Sequence, residues 1–201
     1  MSDIGTRLRG YDADRLEKAL GRLPRRGKGR GVVVLIGLPG SGKSHFAREI
    51  AGRTPAAILD SDALRRVLFA EPKHSKKEHA RLFPAVHALM ARLLSRDVAV
   101  IVDATNLKSA NRRAYHKIAE EAGAPVVVVR VWAPKRVILQ RLQSRLAGVD
   151  RKDRSTATLA VYEQMRADVE PIRERHLSVN TAKETGPAVD KVIDLLQASK
   201  V

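Results

Sequence analysis

Apolar residues in this chain follow two alternating patterns. Continuous runs rich in valine, isoleucine, leucine and alanine occur at Val32–Ile36, Ala56–Leu59, Val98–Val102 and Val126–Val131. Their length and lack of alternation predict strands buried on both faces. Between them, apolar residues recur at helical spacing over about 43–52, 61–70, 78–96 and 108–122. The third of these segments is the clearest, with Leu82, Val86, Leu89, Met90, Leu93 and Leu94 forming one stripe. Helices over about 135–147, 156–170 and 187–198, and a short strand near 176–180, extend the pattern toward the C-terminus. Strands alternating with helices predict an α/β fold built on a parallel sheet.

Ahead of the first strand, residues 12–23 carry Leu16, Leu20 and Leu23 at the spacing of a short amphipathic helix. The stretch "PRRGKGRG" (24–31) then reads as a basic linker, either mobile or an arm that touches a polyanion. The chain therefore divides into an N-terminal helix and linker, 1–30, and a single domain over 31–201.

The first strand runs straight into "GLPGSGKS", a turn that no regular element would choose. Gly37, Gly42, Lys43 and Ser44 satisfy G-x-x-x-x-G-K-[ST], with a strand before the turn and a helix after it. Glycines let successive backbone N–H groups converge on an anion, and the following helix adds its positive end. The candidate nucleotide-binding set is Gly37, Leu38, Pro39, Gly40, Ser41, Gly42, Lys43, Ser44 and His45. Lys43 would reach the outer phosphates of ATP or another nucleoside triphosphate, and the Ser44 hydroxyl would ligate Mg²⁺.

Three further features change the picture. Asp103 follows "VAVIV" at the C-terminal end of a strand, where α/β sheets bind ligands. It is a candidate magnesium-orienting acid; alone, such an aspartate is more often a cap or turn residue. In "ILDSDALRR", Asp62 and Arg65 are three apart on one helix face. Asp62 is then the base that deprotonates an acceptor hydroxyl, with Arg65 holding the acceptor's charge. The competing reading makes Asp60 or Ser61 the N-cap and Asp62 a first-turn charge. In "ILQRLQSRLAGVDRKDRS", Arg141 and Arg145 lie four apart and repel each other unless an anion sits between them. Arginines delivered by a lid, over about 134–156, would stabilise a transferring phosphoryl group. The alternative is a solvated basic face.

Composition adds limits. Against 22 Asp+Glu stand 38 Lys+Arg, a formal net charge of +16. That excess fits a nucleic acid, an anionic membrane surface or phosphorylated substrates, and equally an arginine-rich background. The absence of cysteine excludes disulfides and thiolate metal sites, and the six histidines form no ligand-like cluster. No apolar run approaches bilayer length, and the first residues lack the apolar stretch of a signal peptide. The expectation is a cytoplasmic protein with no membrane partner.

Taken in order, "GLPGSGKS", "SDALR", "VDATNLKSANRRAY" and "RLQSRLAG" resemble small P-loop kinases of the polynucleotide-kinase type, with zeta-toxin-like and antibiotic phosphotransferases as relatives. The resemblance covers roughly 31–175. It implies a P-loop NTPase fold with strand order 2-3-1-4-5. It also implies Asp62 as general base, Arg65 on an acceptor phosphate, and Arg141 and Arg145 on the ATP phosphates. Asn106 and Arg113, in and after "DATN", join Arg65 as candidate acceptor-binding residues. Such enzymes often carry a phosphatase, ligase or HD-type domain, and none is evident in this sequence, which weighs against a polynucleotide acceptor.

Three functions compete. The first is an ATP- and Mg²⁺-dependent kinase acting on a hydroxyl, including the 5′-OH of a polynucleotide. Its support is Lys73, Lys76, Lys77 and Arg81 in the acceptor segment, and Lys108, Arg112, Arg113 and Lys117 after "DATN". Only 3% of residues are aromatic, so base-stacking platforms are scarce. The second is a kinase for a sugar, nucleoside or antibiotic. The third, a nucleotide-dependent regulatory module, has no need of an acid such as Asp62.

Overall fold

The apolar runs become strands β1 (Val32–Ile36), β2 (Ala56–Asp60), β3 (Ala99–Asp103) and β4 (Val126–Trp132), joined by a short β5 (His176–Asn180). They pair in parallel throughout, in the order β2-β3-β1-β4-β5 that the resemblance implied. This computed structural model describes residues 3–24, 30–146 and 159–198. The helices are α1 (Asp3–Ala19), α2 (Lys43–Arg53), α3 (Ser61–Leu68), α4 (Lys76–Ser95), α5 (Ser109–Glu121), α6 (Lys135–Leu146), α7 (Leu159–Ala167) and α8 (Gly186–Ala198).

Strand side chains alternate between faces, so one sheet has two cores. Val32, Val34, Ile36, Val100 and Val102 pack under α1, α3, α4 and α5, where Leu16, Leu64, Leu89, Leu93 and Tyr115 are buried. Val33, Leu35, Ile101, Val127 and Val129 pack under α2 and α8, with Phe46, Ile50, Val189 and Val192. Asp103 has the parity of Ile101 and so turns toward the α2 side. Register fixes its height as well: Asp103 pairs with Leu35 of β1 and with Asp60 of β2. Three strands thus end level, and the turns after them share one edge.

The N-terminal helix departs from expectation. It spans Asp3–Ala19 and not 12–23, because Gly21 at φ 68 turns the chain out of the helix. Leu20 and Leu23 still pack on the core from beyond the helix end, which is why their spacing suggested a longer helix. Residues 25–29 of the basic linker and 147–156 of the expected lid lie outside the described residues. Among those described, no helix is long and apolar enough to cross a membrane.

Arg112 is a second departure. Expected on a basic surface, it is fully buried. Its Nε bonds Glu174, and Nη1 donates to the carbonyls of Asn106 at 3.0 Å and Leu107 at 3.2 Å. The guanidinium therefore ties the turn after β3 to the segment before β5. A buried ion pair that loses one partner leaves the other charge uncompensated. Arg112→Met should lower unfolding stability by about 3 kcal/mol, whereas its exposed neighbour Arg113→Ala should change it by less than about 0.5 kcal/mol. Denaturant melts of both variants check this, and equal effects would contradict the structural role of Arg112.

Candidate active site

The turn after β1 is seated against β4. A Cβ on Gly37 would stand 2.3 Å from the Val131 carbonyl oxygen, so no side chain fits there. Gly42 is the N-cap of α2 at φ 92, in the left-handed region, and no side chain caps that helix. Its first N–H groups are thus directed at the cleft, the arrangement that binds phosphate. Gly37, Leu38 and Ser41 form the back of the turn, while Pro39, Gly40, Gly42, Lys43, Ser44 and His45 line a cavity of about 870 Å³. Lys43 is nearly buried and donates from Nζ to the Leu38 carbonyl at 3.1 Å.

Ser44 and Asp103 are brought together. The Ser44 hydroxyl hydrogen-bonds the Asp103 carboxylate, which is 4% exposed. Burial pushes that carboxyl up to about 6; Lys43 and Ser44 oppose the rise, and Asp60 and Asp62 add to it. A divalent cation would relieve this penalty. One carboxylate and one hydroxyl suit Mg²⁺, which keeps waters and takes its remaining ligands from substrate phosphates. Among the described residues there is no cluster of three or more histidine or acidic ligands, the all-protein cage that Mg²⁺ does not require.

The start of α3 lines the same cavity. The capping falls to Asp60, whose Oδ1 accepts from the amides of Asp62 at 2.9 Å and Ala63 at 3.0 Å. Asp62 is therefore not the cap, and it lines the same cavity as Lys43. Arg65 also reaches the cavity, but it is 6% exposed and its Nη1 bonds buried Glu78 of α4 at 3.3 Å. Its charge is thus shared with a carboxylate, which the sequence did not reveal.

The lid-side arginine comes in from α6. Arg141 Nη1 donates to Thr181 Oγ1 at 2.9 Å and to the Gly40 carbonyl at 3.3 Å, and Nη2 donates to the Thr181 carbonyl at 2.8 Å. Thr181 Oγ1 in turn donates to the Ser41 carbonyl at 2.6 Å. Arg141 is therefore beside the phosphate loop. Arg145 lies on α6, and its side chain is outside the described residues.

Two candidates change role. Asn106, at φ 49, touches the cavity, but it is buried and its Nδ2 donates to the Leu35 carbonyl at 2.8 Å. Nδ2 thereby pins the turn after β3 to β1, while the buried Oδ1 has no hydrogen-bond partner among the described residues. Arg113 is exposed, bonds Ser109 Oγ at 3.2 Å and does not line the cavity. Sequence reasoning missed Thr181, Glu78, His79 and Phe83. The last two line the cavity with rings 4.1 Å apart, and their spacing of four on α4 was the available signal. Thr181, 140 residues from Ser41, gave no signal at all.

With this geometry in place, the relatives can be stated. Residues 32–172 match the family model described as AAA domain. Adenylyl-sulfate kinase of Myxococcus xanthus is 32% identical over 123 residues, 57% of this chain and 65% of that protein. L-seryl-tRNA(Sec) kinase of Methanococcus maripaludis is 30% identical over 114 residues, 55% of this chain and 44% of that protein. The matches thus span less than two thirds of either curated relative. The fold is similar to Mycobacterium tuberculosis APS kinase CysC in complex with AMPPNP and APS (TM-score 0.61, 23% identity, 84% of this chain and 98% of that one). It is also similar to Chaetomium thermophilum Kti12 in complex with ADP-AlF3 (TM-score 0.64, 21% identity, 82% and 98%). Neither the family match nor these relatives single out the polynucleotide-kinase group.

The buried acid makes a testable statement. Its folded-state value lies above the ordinary 3.8, so the fold is favoured while the group is protonated and loses stability as pH rises from about 4 through about 6. Above that window the charge costs the nucleotide-free fold about 2–3 kcal/mol. Asp103→Asn should therefore raise the Tm of nucleotide-free protein at neutral pH and weaken Mg²⁺-dependent binding of an ATP analogue. The Tm gain should vanish below about pH 4. A variant that melts lower at neutral pH would mark Asp103 as a structural cap.

Proposed function

This chain belongs to the AAA domain family, matched over residues 32–172, and from that premise we propose that it is a nucleoside-triphosphate-dependent kinase. ATP is the donor and a small-molecule hydroxyl the acceptor. The observation that carries the proposal is Asp62 lining one cavity with Lys43 and Ser44 while Asp60, not Asp62, caps α3. A nucleotide switch needs the phosphate loop but no acceptor-side carboxylate in its cavity. The acceptor oxygen attacks the γ-phosphorus, the bond from γ-phosphorus to the β–γ bridging oxygen breaks, and Asp62 takes the hydroxyl proton. Lys43, the N-terminus of α2 and Arg141 hold the charge that spreads over the phosphoryl oxygens. Mg²⁺, held by Ser44 and Asp103, would neutralise charge on the phosphates when bound.

A small acceptor is favoured because three arginines on the acceptor side and after "DATN" already hold carboxylates. Arg65 faces Glu78, Arg81 faces Asp12 and Arg112 faces Glu174. The two curated relatives support the two acceptor sizes: one is named for adenylyl sulfate, the other for a seryl group carried on tRNA. The second reading, a hydroxyl displayed on nucleic acid, rests on the net charge of +16.

A screen of hydroxyl acceptors with γ-labelled ATP tests the activity, and release of label only to water would defeat it. Asp62→Asn should lower kcat by about 10²–10⁴-fold while ATP-analogue affinity stays within about twofold. Acceptor binding measured from low to moderate salt separates the two readings. A small molecule gives a shallow slope, whereas a nucleic acid loses affinity steeply as counterions compete.

A further inference from the structure

The family match begins at residue 32, so α1 lies wholly outside it. Even so, α1 is built into the acceptor side of the site. Ala13 and Leu16 are buried in the core it shares with α3 and α4. Asp12 is 1% exposed and accepts two hydrogen bonds from Arg81 of α4, from Nε and Nη2, each 2.8 Å. The Arg81 guanidinium also lies 5.5 Å from the centre of the Phe69 ring, just past the end of α3. One turn along α1, Arg15 Nη2 donates to the Val67 carbonyl at 2.5 Å.

These contacts close a ring. Arg15 of α1 holds the C-terminal turn of α3, Arg65 of α3 holds Glu78 of α4, and Arg81 of α4 holds Asp12 of α1. Each helix contributes its two contact points two or three residues apart, so each is gripped at one level. α3 has only 8 residues, too few to be stable by itself. Its N-terminus is fixed by Asp60 at the end of β2, and the last turn's carbonyls beyond that of Arg65, which accepts from the Phe69 amide, lack helical partners. Arg15 supplies one such partner and is the cation that a helix C-terminus favours.

We infer that α1 is a positioning element for the acceptor side of the site, acting through Arg15 on α3 and through Asp12 on α4. This rests on the kinase reading, because the residues it positions are Asp62, Arg65 and His79 along the cavity. Without the Arg15 contact, the last turn of α3 loses a tether. The helix keeps its Asp60 cap, its buried Leu64 and the Arg65–Glu78 pair, and its freed end shifts Arg65 and, to a lesser degree, Asp62 within the acceptor wall. The phosphate loop, α2 and α6 carry the nucleotide side, and the main contacts of α1 run to α3 and α4, so ATP binding is independent of it. A misplacement of about 1 Å at a reacting group costs about 100-fold in rate, so a modest shift is enough to matter.

The test uses the full chain with Arg15→Met, Asp12→Asn and the conservative Arg15→Lys. Amide hydrogen exchange, ATP-analogue affinity and acceptor kinetics are measured on each. Arg15→Met should speed exchange over residues 61–68 by about tenfold or more, leaving β1, β3 and α2 unchanged. ATP-analogue Kd should stay within about twofold while kcat/KM for the acceptor falls about tenfold or more, and Arg15→Lys should restore both. Asp12→Asn should act in the same direction, with faster exchange at the start of α4. Acceleration spread evenly over the chain, unchanged exchange in α3, or a parallel loss of nucleotide affinity would each overturn the inference. If the wild type transfers phosphate to no acceptor, the kinase reading fails by itself, and the exchange pattern alone decides whether α1 positions α3.

Discussion

The site depends on a backbone contact that admits no side chain. Gly37 lies so close to β4 that a Cβ would meet the Val131 carbonyl oxygen at 2.3 Å. That contact fixes where the chain leaves β1, and hence where α2 begins. Gly40 and Gly42, both at positive φ, carry the chain around the turn, and their open sides face Ile138 and Thr181. Any bulk there would push α6 and the turn after β5 away from the loop. The phosphate cradle is therefore a packed object as well as a flexible sequence. Its three walls come from segments about 100 and 140 residues further along the chain.

The sheet adds a charge to this cradle at a cost to stability. Parallel register brings Asp60 and Asp103 level at one edge, with Asp62 a turn away. Each carboxylate has a different environment and so a different task. Asp60 is hydrogen-bonded by the start of α3 and serves as its cap. Asp103 is desolvated with only Lys43 and Ser44 to support it, and is poised for a cation. Folding alone would not place an acid in so poor an environment, and stability given up at one buried position is typical of a site shaped by a ligand.

The boundaries of β1 were legible in a continuous apolar run, whereas the sheet order came from the resemblance of four short motifs to a known group of kinases. That Lys43, Ser44 and Asp103 share one cavity was legible too, because each is placed by a strand end and the turn after it. Partners distant in sequence were not. Glu78 sits 13 residues from Arg65, and Glu174 sits 62 from Arg112, with no pattern to announce either pairing. Arg113, beside Arg112, is identical in type yet exposed, because neighbouring positions on α5 point to different sides. Charge along a sequence shows how many cations exist, and only the fold shows which of them already hold an anion.

That distinction bears on the net charge of +16. At physiological ionic strength a surface charge is screened beyond about 8 Å, so exposed arginines on the far side of the sheet contribute little to the cleft. Within the cavity, Lys43, Arg48, Lys73 and Arg141 supply the positive field, and they suffice to draw a triphosphate inward. The acceptor end has a different character. Arg65 is offset by Glu78, and the wall continues through His79, Phe83 and Met165, of mixed polarity. Such a wall discriminates by shape and by a few hydrogen bonds more than by charge. On the proposed kinase reading, acceptor choice is set by how α3 and α4 are held, and the cavity's own cations serve the donor.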